Sequence, residues 1–144
     1  MQRILGLDYG TKTVGVAVTD GLGLTAQGLE IIRREKPKKL RQTLARIREL
    51  IAEYDVGSIV LGKPLNMNGS SGFRVEDTLV FKELLEEKTG LPVYLEDERL
   101  TTVDAYSIME EVGIKKADQK KYVDEIAAVL ILESYLHRNE ADQL

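Results

Sequence analysis

Two apolar runs, residues 3–8 and 13–19, flank Gly10 and Thr11 and predict an antiparallel hairpin. A third strand over 24–32 follows the breakers Asp20-Gly21 and Gly23. Leu40, Leu44, Ile47, Ile51 and Tyr54 then recur at helical spacing, which predicts a helix over 37–54 with Pro37 in its first turn. The run Ser58–Gly62 reads as a short buried strand, and "KPLNMNGSSG" (63–72) as a loop. Further elements are a helix over 74–89 that ends before Gly90, a strand over 92–97, a helix from Thr101 or Thr102 to 112 stopped by Gly113, and a last helix over 118–138. The order β-β-β-α-β-α-β-α-α predicts one α/β domain over residues 1–144, a mixed sheet with helices on its faces.

Composition removes several chemistries. With no cysteine, thiolate sites and disulfides are excluded; the one histidine, His137, reads as a solvated surface residue among charged neighbours, which argues against a histidine triad, and any metal must be held mainly by oxygen. No signal peptide or membrane-length apolar run is evident, so a soluble cytoplasmic protein is expected. The net charge of −4 conceals a block at 33–48 with eight Lys/Arg against one Glu, and a smaller basic group of Lys115, Lys116, Lys120 and Lys121. Such asymmetry can draw a polyanion to one part of the surface, although a solvated helix face has the same composition.

The acids raise a sharper question. Asp8 ends an apolar strand, and a buried aspartate needs a compensating partner. Sites in open α/β sheets form beyond the carboxyl ends of the strands, where Asp8 and "EDERLTT" (96–102) both fall. Strand alternation puts Val93, Leu95 and Asp97 on one side and Tyr94, Glu96 and Glu98 on the other. In the last helix Asp124 shares a stripe with Ala127, Ala128, Ile131 and Leu132, while Glu125 should face outward. Asp8, one of Asp97/Glu98, and Asp124 would converge, and a divalent cation such as Mg²⁺ or Mn²⁺ relieves the repulsion of gathered carboxylates. Two such ions can activate water for phosphodiester cleavage.

Four blocks in order, "LDYGTKTVGVAVTD", "IVLGKPLNMNGSSG", "EDERLTT" and "VDEIAAVLILESYL", resemble the YqgF family, also called RuvX. The resemblance implies an RNase H-like fold: a mixed five-stranded sheet, a three-strand antiparallel meander then parallel strands, with helices on both faces. It also implies a metal-dependent nuclease acting on precursor 16S rRNA, with Holliday junction cleavage as the alternative activity. By position it makes Asp8, Glu98 and Asp124 the metal-binding acids, with Asp97 in reserve. Thr11, Lys12, Asn66, Asn68, Gly69, Ser70, Gly72 and Arg74 would line the nucleic-acid cleft, and Arg99 would either hold a phosphate or pair with its acidic neighbours; from the basic blocks, Lys38, Lys39, Arg41 and Lys116 would contact backbone phosphates. Two departures stand out. Thr13 occupies a place where the family often has Arg, and Gly62 one where RuvC relatives carry an acid. Ribosomal particles are an expected partner, and either a monomer or a homodimer fits.

Two rival readings remain. One is an ATP-binding domain of the actin, sugar-kinase and heat-shock chaperone type, which uses a similar strand–turn–strand phosphate loop but binds nucleotide between two domains. The other is a non-catalytic RNA- or ribosome-binding module that keeps the acids as relics of the fold.

Overall fold

A computed structural model of the chain describes residues 2–63, 73–97 and 101–142. Strands β1 (Arg3–Tyr9), β2 (Thr13–Thr19) and β3 (Ala26–Arg33) form an antiparallel meander. Strand β4 (Val56–Lys63) lies parallel to β1, and β5 (Val93–Asp97) parallel to β4, giving the order β3-β2-β1-β4-β5. Helices α1 (Arg41–Tyr54) and α2 (Phe73–Thr89) cover one face, and α4 (Lys116–Asp142) crosses the other with α3 (Thr101–Glu111) against it. This is the sheet that the element order predicts.

Pleating divides β1 between two environments. Leu5 and Leu7 are fully buried with Ile47, Leu50, Ile59, Leu61, Phe81 and Leu85 in the core beneath α1 and α2. Each such side chain contributes roughly 1.5–3 kcal/mol through burial. Gly6 and Asp8 point to the other face, where a β-carbon on Gly6 would stand 2.9 Å from Leu132 Cβ. Here Ala17, Val60, Ala128, Ile131 and Leu132 form a thinner core with small residues at the closest approach. A stripe carrying Ala127 and Ala128 lets α4 lie almost directly on the sheet.

Two of the boundaries that depart from expectation have clear local reasons. Helix α1 begins at Arg41 rather than at 37, because residues 34–40 close a turn instead: Arg34 Nε donates to the Pro37 carbonyl, and Lys39 N–H to that of Lys36. The first helical hydrogen bond runs from Leu44 N–H to the Leu40 carbonyl. Strand β4 starts at Val56, two residues early. Asp55 takes a left-handed conformation (φ 52°) that ends α1 and turns the chain straight into the sheet. No helix among the described residues is long and apolar enough to cross a membrane.

Candidate active site

Asp8 is 9% exposed and sits opposite Gly15 in the β1–β2 ladder, on the face covered by α4. A β-carbon on Gly15 would run into the main-chain carbonyl of Asp124. The helix backbone at Asp124 thus rests on the strand position paired with Asp8, and two acids 116 residues apart in sequence become neighbours. The Asp124 carboxylate is oriented by Thr13, whose Oγ1 donates to Oδ2 over 2.7 Å. Oδ1 makes no hydrogen bond to any described residue.

The sequence did not single out this role for Thr13, and only noted that an Arg was missing there. A signal was available. Alternation along β2 puts Thr13, Gly15 and Ala17 on the face that Asp8 occupies, so a hydroxyl at 13 had to meet whatever packs above.

Other predicted residues distribute as follows. Asp97 is exposed and shares its side of the pleat with Val93 and Leu95, which pack toward α1 and α2. It therefore lies on the opposite face from Asp8. Glu96 faces α4 and is 6% exposed, but it is already engaged: Arg138 Nη2 lies 2.8 Å from Oε2, and Ser134 Oγ donates to Oε1 at 3.3 Å. Its burial was not anticipated. Glu98 and Arg99 lie outside the described residues, as do Asn66, Asn68, Gly69, Ser70 and Gly72; Arg74 is described only as part of α2. Among the described residues no cluster of three acidic or histidine side chains forms. Asp8 and Asp124 are carboxylates, hard oxygen donors of the kind Mg²⁺ and Mn²⁺ accept.

Thr11 and Lys12 are exposed on the β1–β2 turn. That turn is clamped to the start of the basic block, because Arg34 Nη2 donates to the Gly10 and Thr11 carbonyls at 2.6 Å each and Arg34 N–H to that of Lys12. Within the block, Arg46 is taken up by Glu30 and Glu49 at 2.6 and 3.0 Å. Lys38, Lys39 and Arg41 are exposed and pair with no described carboxylate, and Lys116 is exposed at the start of α4. The outward-facing part of the block thus adjoins the end of the sheet that carries Asp8.

A sheet of this order with these helix placements is an RNase H-like fold, as the solved structures it resembles bear out. Thermus thermophilus RuvC in complex with a Holliday junction substrate matches with a TM-score of 0.62 at 17% identity, over 98% of this chain and 97% of that one. The fowlpox virus Holliday junction resolvase matches at 0.55 and 16%, over 96% and 99%. The chain belongs to the RuvX family, whose model is described as Holliday junction resolvase and matches residues 2–138. Relatives that carry the provisional name pre-16S rRNA nuclease include one from Agathobacter rectalis, 60% identical over 93% of this chain and 94% of its own length. Another, from Lachnospira eligens, is 51% identical over 96% and 99%. The family is one of nucleases, hydrolases that act on nucleic acid.

Proposed function

We propose that the protein is a divalent-metal-dependent nuclease that processes precursor 16S rRNA in the cytoplasm. The observation that carries the reading is the seating of the α4 backbone at Asp124 on Gly15, which brings a buried aspartate and a hydrogen-bonded aspartate to one strand end. The names of the Agathobacter and Lachnospira relatives supply the substrate.

In this reading Asp8, Asp124 and Glu98 hold Mg²⁺ or Mn²⁺. When bound, the metal activates water and stabilises the leaving oxygen of a phosphodiester. The chain's own contribution is positioning. Thr13 fixes the rotamer of Asp124 by occupying Oδ2, and burial keeps Asp8 from competing solvent. Lys38, Lys39, Arg41 and Lys116 attract the phosphate backbone. A second reading, cleavage of branched DNA, is favoured by the description of the family model.

The test offers a precursor 16S rRNA fragment and a synthetic four-way DNA junction, each with Mg²⁺, Mn²⁺ or EDTA, beside Asp8→Asn. Metal-dependent cutting of the RNA alone, lost in the variant, is the expected result. Paired cuts in the junction would favour the second reading. Binding without cutting under every condition would leave only a binding module.

A further inference from the structure

Tyr9 directly follows Asp8, so its side chain emerges on the opposite face of β1. There it stacks on Phe81 (centroids 4.1 Å apart, planes 10° apart), and the Arg34 guanidinium covers the ring at 4.8 Å from its centroid. Beside this column a cavity of about 440 Å³ opens between the β1–β2 turn, the segment leading into α1, and α2. Its walls include Leu40 and Val80, the latter 56% exposed although apolar. Lys38 lines it from the segment before α1 and Asp77 from α2.

The electrostatics of this cavity are unusual. Arg34 is half-buried, yet its hydrogen-bond partners are the neutral carbonyls of Gly10, Thr11 and Pro37, and its buried Nη1 has no acceptor. Its charge is therefore unbalanced by any described carboxylate in contact. Lys38, likewise paired with no described carboxylate, adds a second positive charge on the same segment. Asp77 supplies a negative charge from α2. Burial raises the Tyr9 hydroxyl above its ordinary pKa, with Arg34 opposing the rise and Asp77 adding to it, so both charges are felt at the ring. Apolar walls, two cations on one segment and a carboxylate on the facing helix match one ligand chemistry. A nucleotide has a flat apolar base, a phosphate anion, and, in three of the four RNA bases, an amino donor for a carboxylate.

We infer that this cavity receives one unpaired nucleotide of the substrate strand, adjacent to the one being cut, with its phosphate toward Arg34 and Lys38 and its amino-bearing base edge toward Asp77. The assignment rests on the nuclease reading of the Asp8 face. The two sites stand back to back across the end of β1, so a strand passing over Gly10–Lys12 reaches both. A base enters only if it is unpaired, which makes the cavity a selector for single-stranded character beside the scissile bond.

The test uses the full chain in EDTA, with binding of a fluorescent single-stranded RNA and of the same strand annealed to its complement. Val80→Trp fills the mouth of the cavity from an exposed position. It should weaken binding of the single strand about tenfold and leave the duplex unchanged. Asp77→Asn, nearly isosteric and also exposed, keeps the test sound where tryptophan perturbs α2. It should erase a preference for amino-bearing homopolymers over polyuridine. Equal effects of Val80→Trp on single strand and duplex, or none on either, would overturn the assignment. So would tight binding of a free nucleoside monophosphate that leaves strand binding untouched, since the cavity would then serve a small molecule. Failure of the unaltered protein to bind either RNA would remove the RNA-processing reading as well. Normal single-strand binding by the parent with an indifferent cavity would remove only this inference.

Discussion

Thr13 Oγ1 lies 2.7 Å from Asp124 Oδ2 and joins two residues 111 positions apart. The contact links the first residue of β2 to the first half of α4 and fixes one carboxylate oxygen. Replacing Thr13 by Val keeps the branched shape and removes the donor. Stability should fall by about 1 kcal/mol, whereas the cleavage rate should fall about tenfold or more through loss of carboxylate orientation. Thr13→Ser should restore most of the rate. Rates and melting curves for the three proteins decide the matter, and an unchanged rate in the valine variant would make the contact merely structural.

Gly15 matters because of what rests on it. Alanine there meets the Asp124 carbonyl and must lift α4, at about 1–3 kcal/mol. Gly23 provides the contrast. Its φ of 71° makes alanine strained, but nothing lies within 4 Å of the added carbon. Both variants should melt earlier than the parent, yet only Gly15→Ala should lose activity at temperatures where each is fully folded.

The exposed cations before and at the start of α1 should govern salt dependence. Reversing Lys38, Lys39 and Arg41 to Glu should weaken binding and reduce the slope of log affinity against log salt by about 2 for a single strand. An unaltered slope would take the segment out of the nucleic-acid path. Arg46→Ala should leave the slope alone, because Glu30 and Glu49 already engage that guanidinium.

Asp20 anchors the β2–β3 turn by accepting the Leu24 and Thr25 N–H groups at 2.8 and 3.3 Å. The Leu24 bond is the largest cause holding its carboxyl below the ordinary pKa of 3.8, and burial opposes it. A folded-state pKa below the unfolded one gives stability that is present above pH 3.8 and lost as pH falls through the folded value. Asp20→Ala should therefore melt below the parent near neutral pH, with the gap closing in acid. A gap independent of pH would assign the effect to packing.

Much of this architecture was readable from local pattern. The hairpin of β1 and β2, the αβ alternation and the alanine stripe beside Asp124 all follow from short-range periodicity, and Ala127 and Ala128 are indeed buried at 2% and 0%. The start of α1 was not readable, since Pro37 suits a helix's first turn as well as the turn that Arg34 closes. Glu125 was placed outward by helical spacing but lies half-buried against Gly28, where β3 has no side chain to hold it off. The Thr13–Asp124 bond, the Glu96–Arg138 pair and the Phe81–Tyr9–Arg34 column each join separate segments. Such pairings depend on register and crossing angle, which single-segment patterns do not encode. The third acid expected at Glu98 lies outside the described residues.

The two faces of the sheet are built to different tolerances. Beneath α1 and α2, large side chains such as Phe81, Ile47 and Leu85 interlock and can be exchanged for others of similar volume. Beneath α4, Gly15 meets the Asp124 main chain directly and Gly6 meets Leu132 and the Ala128 carbonyl, so neither position has room to absorb an added side chain. An engineer seeking a hardier enzyme therefore has a free hand on the first face. Consensus or volume-matched substitutions there can accumulate while the spacing of Asp8 and Asp124, set by bare backbone contact on the other side, stays where it is.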